Sequence, residues 1–269
     1  MSDGRQLARE FLEQQRALGG DFVILPDRST PRLRPGLVGL PDDAARTPAG
    51  SPGKPKSSAA KQDSQLPPPG LSCDPPGGDL FSNDPVPQAG SLDAIARLVA
   101  ACTKCRLCEG RRHTVPGEGA ADARLVVVGE GPGRVEDETG RPFVGPAGEL
   151  LTKILGAIEL PRERVFICNV VKCRPPENRL PQFDEIAACV PYLFRQIDIV
   201  KPKVILAMGG TAAQTLLNTK QSLGALRNHV HRFRGIPVIV TYHPAALLRN
   251  PNWKKPTWDD VRIARRLID

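Results

Sequence analysis

Three polar residues lie at the predicted carboxyl ends of strands in a parallel sheet. Glu130, Asn169 and His243 each lie at or just after the end of a short apolar run rich in β-branched residues. The carboxyl ends of parallel strands lie along one edge of a sheet, which is where ligands bind in open α/β folds. A carboxylate, an amide and an imidazole at that edge can read a polar ligand and stabilise charge that develops on it.

The turn after the first of these runs has the composition of a ligand pocket. Residues 129–133 read Gly-Glu-Gly-Pro-Gly, and an acidic stretch, 136–138, and a single aromatic residue, Phe143, follow in what the sequence predicts to be a loop. Glycines let the backbone approach a flat ligand, and an aromatic ring offers a stacking face. A phosphate-binding turn is disfavoured, because the third glycine comes one position early and no Gly-Lys-Ser/Thr follows.

Strands and helices alternate along the part of the chain that would position these residues. The predicted strands are 124–129, 165–171, 204–208 and 238–242, and the predicted helices are 91–101, 147–159, 182–200, 210–218 and 257–268. This alternation predicts an α/β fold in which helices cover both faces of a parallel sheet.

The first 90 residues differ from the rest in composition. They hold 14 of the 28 prolines and 11 of the 25 glycines, with few long apolar runs, so they cannot bury much of a core. We predict a disordered, low-complexity extension over 1–90 and one folded domain over 91–269. An apolar face over 5–18 predicts a short helix that could dock on the domain or bind an unknown protein.

Charge divides at the same place. Residues 1–90 carry 10 basic against 11 acidic side chains, whereas residues 91–269 carry 27 against 18. A domain this basic favours a polyanionic partner such as nucleic acid, although an ordinary excess of arginine is the alternative. The first twenty residues lack the apolar core of a signal peptide and no run is long enough to cross a bilayer, so we predict a cytoplasmic monomer, nucleoid-associated if bacterial.

Seven cysteines indicate a metal or redox site, because clustered cysteines in a cytosolic protein seldom form structural disulfides. Three of them form a Cys-x-x-Cys-x-x-Cys pattern over 102–108, directly after the first predicted helix of the domain. Four converging thiolates can hold an iron–sulfur cluster or zinc.

Four segments in this order resemble the motifs of the type 4, iron–sulfur-containing uracil-DNA glycosylases. They are GEGPG at 129–133, GRPFVG at 140–145, NVVKCRPPENR at 169–179 and HPAALLR at 243–249. The resemblance covers about 92–269. It implies a three-layer α/β/α sandwich with a four-stranded parallel sheet, one cluster, and hydrolysis of the N-glycosidic bond of uracil flipped out of DNA, which leaves an abasic site.

The resemblance implies roles for the residues at the sheet edge. Phe143 would stack on the uracil ring, the amide of Asn169 would pair with O4 and N3–H, and His243 would donate to O2. Glu136 matches a pocket glutamate that either activates water or excludes thymine, and these two roles stay open. The backbone of the turn would help to bind uracil through Glu130, Gly131 and Pro132.

Cluster ligands also follow from the resemblance. The four matched positions are Cys102, Cys105, Cys173 and Cys189. Zinc ribbons use two close pairs of ligands, which the last two cysteines do not form, so a 4Fe-4S cluster is favoured and zinc is the alternative. Cys108 could replace one of these ligands. Cys168 is predicted to be a buried apolar residue and Cys73 an inert thiol.

The last motif predicts contacts with DNA. Leu247 would enter the gap left by the flipped base, and Arg249 would contact phosphate, as would several other basic residues near the same edge. These are Lys172, Arg174, Arg179, Lys254 and Lys255. A damaged-DNA binding module without catalysis, and an iron–sulfur redox protein, are the alternative functions. The base range and the preference for single- or double-stranded DNA stay open.

Overall fold

The computed structural model describes residues 66–75 and 84–269, and the predicted helix at 5–18 lies outside them. The described residues contain a seven-stranded sheet. Its strands are β1 (Pro69–Cys73), β2 (Glu118–Gly119), β3 (Leu125–Gly129), β4 (Phe166–Asn169), β5 (Val204–Met208), β6 (Val230–Phe233) and β7 (Ile236–Thr241). They lie in the order β1-β6-β7-β5-β3-β4-β2.

The four predicted strands form the centre of this sheet. Neighbours in the series β7, β5, β3 and β4 all pair in parallel, with Val127 of β3 between Ile167 and Leu206. All residues of β3 and β5 are buried, which explains why both strands read as continuous apolar runs. The predicted α/β class is confirmed, but the sheet has seven strands rather than four.

The three additional strands flank the central four, with β2 at one edge of the sheet and β6 followed by β1 on the other side. β2 is antiparallel to β4, β6 is antiparallel to β7, and β1 is parallel to β6. β6 and β7 are joined by Arg234 and Gly235, both with positive φ, as a tight hairpin requires. β1 lies in the proline-rich stretch that the sequence assigns to the extension, so the sheet begins on the N-terminal side of Ser91.

Nine helices surround the sheet among the described residues. They are α1 (Leu92–Ala100), α2 (Leu107–Gly110), α3 (Arg134–Thr139), α4 (Pro146–Ala157), α5 (Phe183–Val200), α6 (Gly210–Leu217), α7 (Leu223–Leu226), α8 (Pro244–Arg249) and α9 (Lys254–Ile268). Each predicted helix is present. The sequence predicts a loop for the acidic stretch 136–138, which instead lies in α3, with Glu136 and Asp137 in the first turn, where negative charge is favourable to the helix dipole.

Alternate side chains of β3 enter two separate cores. Val126 and Val128 pack with residues of α5 and α6, whereas Leu125 and Val127 pack with residues of α4 and α9. The predicted three-layer α/β/α arrangement is therefore confirmed. Within 66–75 and 84–269, every helix is too short or too polar to cross a lipid bilayer.

Candidate active site and cysteine pocket

Asn169 is the last residue of β4 and pairs with Gly129, the last residue of β3. Its side chain is only 2 % exposed, and Oδ1 has no hydrogen-bond partner among the described residues. A buried amide oxygen without a partner costs about 1–3 kcal/mol. An unpaired acceptor at the end of a parallel strand is therefore available to a ligand that brings its own donor.

The ring of Phe143 meets the side chain of Asn169 above Gly129. A Cβ at position 129 would lie 2.5 Å from Phe143 Cζ and would also collide with Asn169 Oδ1. Glycine is required at this strand end, because any larger residue would separate the aromatic ring from the amide. Sequence reasoning expected these two residues in one cleft, and the structure brings them together.

The backbone around Phe143 is held in an uncommon conformation. Its φ is +52°, a region that costs a residue with a large side chain about 1–3 kcal/mol. Arg162 donates a hydrogen bond of 2.8 Å to the carbonyl of Phe143 and another to the carbonyl of Pro142. A Cβ on Gly148 would overlap the same Phe143 carbonyl. These contacts fix the direction of the ring.

His243 approaches Phe143 from the neighbouring part of the sheet edge. The centroids of the two rings are 5.4 Å apart, and their planes are tilted by 32°. His243 is the N-cap of α8, and its Nδ1 accepts the backbone N–H of Ala245 at 3.2 Å. Because Nδ1 acts as acceptor, the neutral ring carries its proton on Nε2 and is a hydrogen-bond donor there.

Burial keeps His243 neutral. Burial and then the positive charge of Arg249 lower the pKa of His243 to about 4, and Glu136 opposes them. The imidazole therefore carries no charge near pH 7. A neutral donor can stabilise a developing anion without first having to lose a solvation shell.

A buried network fixes the end of β7, just before His243. Arg227 donates from Nε and Nη2 to the two carboxylate oxygens of Asp260 at 2.8 and 3.0 Å. Thr241 Oγ1 donates to Asp260 Oδ2 at 2.7 Å. The strand end is thus tied to α9, which carries Asp260.

Aromatic stacking holds Tyr242, the residue between Thr241 and His243. Its ring stacks on Trp253 with 4.7 Å between centroids and 3° between planes. The guanidinium of Arg227 lies 4.5 Å from the centroid of the Tyr242 ring. The spacing of these three residues along the sequence does not predict their grouping, because they come from three separate segments of the chain.

The glycine-rich turn packs beneath the chain that follows Asn169. The carboxylate of Glu130 accepts a hydrogen bond of 2.5 Å from Thr211, and the carbonyl of Glu130 accepts the N–H of Val171 at 3.1 Å. A Cβ on Gly131 would come within 2.8 Å of Val171. Since its carboxylate is bound to α6, Glu130 offers the site its backbone.

Glu136 is buried in α3 and binds the loop that carries Phe143. Its Oε1 accepts the backbone N–H groups of Val144 and Gly145, each at 3.0 Å. Its Oε2 lies where it would be 2.7 Å from a Cβ on Gly133. One oxygen of this carboxylate therefore serves the local structure, and the other faces the glycine turn.

Five cysteines line one pocket on the far side of β4 from Phe143. They are Cys102, Cys105, Cys108, Cys173 and Cys189. Cys173 Sγ accepts from Arg111 Nη1 at 3.3 Å, and Cys189 Sγ accepts the N–H of Lys172 at 3.2 Å. Such hydrogen bonds favour thiolate ligands. Burial raises the pKa of Cys105 and Cys173, and that of Cys189 to about 12.

Cys168 and Cys73 lie outside this pocket. Cys168 is buried within β4, and burial raises the pKa of its thiol. Cys73 is the last residue of β1, and burial raises its pKa as well. A buried thiol such as that of Cys168 is unreactive, and the inert character of Cys73 stays a prediction.

The family model of the uracil DNA glycosylase superfamily matches residues 116–263, more than half of the chain. The chain belongs to the uracil-DNA glycosylase superfamily. The type-4 uracil-DNA glycosylase of Thermotoga maritima is 49% identical to it over 181 residues, which cover 66% of this chain and 94% of the relative. That of Sulfurisphaera tokodaii is 46% identical over 186 residues, 66% of this chain and 84% of the relative.

A relative of another type is less similar. The type-5 uracil-DNA glycosylase of Pyrobaculum aerophilum is 31% identical over 150 residues, which cover 49% of this chain and 66% of the relative. The resemblance to the type 4 enzymes, and the enzyme class that it implied, are therefore confirmed: the chain is a uracil-DNA glycosylase of DNA repair. The two alternative functions, a binding module and a redox protein, are not supported by these matches.

The leucine predicted to enter DNA is buried in this glycosylase. Leu247 is 1 % exposed and lines a cavity of about 260 Å³ between α4, α8 and α9, whereas Leu248 is 50 % exposed. Consecutive residues of a helix point about 100° apart, so only one of the two can face the core. The prediction of Leu247 as an exposed tip is wrong.

The predicted phosphate contact of Lys172 is also not supported by the structure. It is 1 % exposed and cannot reach a phosphate of DNA bound to this glycosylase. Arg249, Lys254 and Lys255 are exposed around α8 and the start of α9. Arg179 is paired with Glu185 at 2.6 Å, and Arg174 donates to Asn178 at 2.9 Å.

Proposed function

We propose that this glycosylase flips uracil out of DNA into the site formed by Phe143, Asn169 and His243 and hydrolyses the N-glycosidic bond, leaving an abasic site. The observation that carries the proposal is the unpaired, buried Oδ1 of Asn169 beside the Phe143 ring. A flipped base is read along its Watson–Crick edge while an apolar face holds the ring. Here the amide of Asn169 can read that edge, and the ring of Phe143 supplies the apolar face.

Asn169 distinguishes uracil from cytosine in this proposal. Its Oδ1 accepts the N3–H of uracil, and its side-chain amide donates to O4. Cytosine presents an acceptor at N3 and a donor at the exocyclic amine, which is the reverse pattern. The buried acceptor of Asn169 would then face another acceptor, and such an unpaired contact strongly disfavours the wrong base.

His243 stabilises the leaving group. As the C1′–N1 bond breaks, its electron pair moves into the uracil ring and negative charge grows on O2. The Nε2–H of His243 donates to that oxygen, and removing such a donor typically costs about 10²–10³ in kcat. Water bonds to C1′, and the proton that it loses neutralises the departing uracil anion by way of solvent.

Glu136 supports the reaction from the side of the sugar. Its negative charge favours the oxocarbenium-like sugar, and its contacts with Val144 and Gly145 hold the loop that presents Phe143. Water activation and thymine exclusion both stay predictions for its second oxygen. The turn 130–132 contributes backbone around the base, with the exception of Pro132, which has no N–H.

A gel assay tests the assignment of the site. A duplex with one uracil, incubated with the glycosylase and treated with alkali, is expected to break at that base. Asn169→Ala should lower the rate by about 10²-fold or more, whereas Asn252→Ala, on the exposed chain before α9, should leave it unchanged. Absence of a break with the native protein would refute excision. A normal rate for Asn169→Ala would refute the site.

We infer that the cysteine pocket holds a 4Fe-4S cluster bound by Cys102, Cys105, Cys173 and Cys189. Four thiolates supply the ligands of such a cubane. Zinc ribbons use two close pairs of ligands, which Cys173 and Cys189 do not form along the sequence, so the cluster is favoured over zinc. When bound, the cluster would pin α1, α2 and α5 to the chain after β4.

Metal analysis tests this inference. Anaerobically purified protein should contain about four irons and four sulfides per chain, with brown absorbance. Cys173→Ser should lose them, whereas Cys168→Ala, in β4 outside the pocket, should keep them. Cys108→Ala shows whether that cysteine replaces one of the four. About one zinc per chain and no iron would favour the zinc alternative.

The contacts with DNA that we propose lie on α8. We propose that Leu248 enters the gap left by the flipped base and that Arg249 contacts a phosphate, because both are exposed on the helix that His243 caps. Strand preference, the monomeric state, the cytoplasmic location, the domain boundary at 91 and a protein partner for residues 1–90 stay predictions.

A further inference from the structure

Lys172 is a fully buried lysine that none of the proposed catalytic steps uses. It lies three residues after Asn169 and directly before Cys173, between the uracil site and the cysteine pocket. Its Nζ donates to the backbone carbonyl of Asn169 at 2.8 Å and to Oε1 of Gln196 at 2.7 Å. A lysine buried without partners would be very costly, so these two bonds determine where its side chain lies.

The second partner of Lys172 is itself buried and bonded. Gln196 is 2 % exposed in α5, and its Nε2 donates to the carbonyl of Pro116 at 2.7 Å. The backbone of Lys172 is used as well: its N–H donates to Cys189 Sγ at 3.2 Å, and its carbonyl accepts the N–H of Val115 at 2.8 Å. One residue therefore joins the chain after β4 to α5 and to the segment before β2.

The bond to Asn169 comes where regular pairing stops. β4 ends at Asn169, and its pairing with β3 ends at the same residue. Beyond that point the N–H groups of Val170 and Val171 still donate to the carbonyls of Gly129 and Glu130, at 2.9 and 3.1 Å, whereas the carbonyl of Asn169 accepts from Lys172. The ammonium of Lys172 supplies the constraint on the Asn169 carbonyl.

We propose that Lys172 is a positioning residue that ties the backbone of Asn169 to α5, so that the helix carrying Cys189 sets the position of the amide that reads uracil. This inference rests on the proposed role of Asn169. It explains why the cysteine pocket and the uracil site occupy the two ends of one short segment, 169–173. Misplacing a recognition group by about 1 Å can cost about 10²-fold.

Binding measurements separate positioning from general stability. The native protein, Lys172→Met/Gln196→Met and Gln196→Met are titrated with two oligonucleotides, one with a non-cleavable 2′-fluorinated uracil nucleotide and one with a stable abasic analogue. The double change removes both buried partners together, so that neither is left unpaired in the other's absence. Iron content and melting temperature are measured on the same samples.

The proposal expects a selective loss. In both variants the affinity for the uracil oligonucleotide should fall, by roughly 10- to 100-fold in the double variant, while affinity for the abasic oligonucleotide changes less than threefold. Lys220→Met, an exposed lysine beyond α6, is the matched control and should behave as the native protein. An equal loss on both oligonucleotides would show a merely structural role and overturn the proposal.

Gln196→Met keeps the bond from Lys172 to the Asn169 carbonyl and removes only the link to α5, and its melting temperature and iron content show whether the fold is retained. Uracil affinity within twofold of native in this variant would also overturn the proposal. Asn169→Ala distinguishes the two levels of inference. If it binds uracil normally, the proposed site is wrong; if it loses uracil affinity while the Lys172 and Gln196 variants keep theirs, only the role of Lys172 is wrong.

Discussion

At the scale of single residues, the site depends on atoms placed closer together than most side chains allow. Gly129 leaves no room for a Cβ between Asn169 and Phe143. His243 uses one ring nitrogen to cap α8, which leaves the other as the donor. Each of these residues has a local structural role that also fixes the geometry of the proposed uracil site.

Adding one carbon at the strand end tests this closeness. Gly129→Ala should lower kcat/KM for uracil excision by about 10²-fold, because the new Cβ pushes the Phe143 ring away from Asn169. Gly156→Ala is the control: it lies in α4 with open space around the added carbon and should raise stability by about 0.5–1 kcal/mol. Steady-state kinetics with thermal melts of both variants give the comparison. Native kcat/KM for Gly129→Ala would contradict the crowding seen here.

The lowered pKa of His243 makes the free energy of unfolding depend on pH in a definite direction. The unfolded chain binds a proton at this histidine near pH 6.5 and the folded chain only near 4. Between these values the unfolded state binds more protons, so the free energy of unfolding should fall as pH drops from 6.5 to 4. His243→Gln should lose less stability between pH 7 and 4.5, by on the order of 1–2 kcal/mol after allowance for partial exposure.

Urea titrations at the two pH values measure that difference, and the acid limb of kcat/KM supplies a second readout. In the native protein the limb should lie near pH 4 rather than 6.5. Parallel loss of stability in native protein and variant would show that His243 titrates normally in the folded state.

At the scale of elements, the junction between β7 and α8 is the most heavily supported part of the site. The Arg227–Asp260–Thr241 network holds the strand end, and the stack of Tyr242 on Trp253 holds the next residue. Both supports arise from segments that pack behind the site. They leave His243 little freedom to move when DNA binds.

Two neighbouring aspartates of α9 provide a matched test of this support. Asp260→Ala leaves Arg227 buried without its partner and should cost about 3–5 kcal/mol of unfolding free energy. Asp259→Ala removes only an exposed pair with Lys255 at 3.6 Å and should change stability by less than about 0.5 kcal/mol. Chemical denaturation measures both. Similar values for the two variants would mean that the network contributes little.

At the scale of the whole molecule, the proposed mechanism draws on two features for binding DNA, the basic charge of the domain and the exposed side of α8. Residues 91–269 carry nine more basic than acidic side chains, so affinity for DNA should weaken with salt as phosphate contacts release counterions. Charge supplies attraction to any DNA. In the proposed mechanism, specific excision adds the flipping of one base, with support from the exposed side of α8.

Adjacent leucines separate stability from DNA entry. Leu248→Ala should slow excision from duplex by roughly tenfold and from single strands much less, because only a duplex has a stack whose gap must be filled. Leu247→Ala should instead lower stability by about 2 kcal/mol, at the low end for a buried leucine because a cavity already adjoins it. Excision rates on duplex and single-stranded DNA, together with thermal melts of both variants, test these expectations. Equal slowing by Leu248→Ala on both substrates would exclude a role in the gap.

The central strands and the long helices could be predicted because their own side chains record their surroundings. β3 and β5 are apolar throughout since both faces are covered, and α1 begins at Ser91, whose side chain accepts the N–H of Ala94. The strands that flank the central four, β1, β2 and β6, could not be predicted, because they are held by backbone pairing with their neighbours and need no distinctive side chains.

Residue types and their order along the chain were enough to place Asn169, Phe143 and His243 at one sheet edge, since the carboxyl ends of parallel strands lie together. Only the tertiary structure decided which of two adjacent leucines is exposed, and that Lys172 lies inside the molecule bound to Asn169 and Gln196. The physical reason is that local sequence sets conformation and periodicity, whereas burial and hydrogen-bond partners depend on segments far away in the chain.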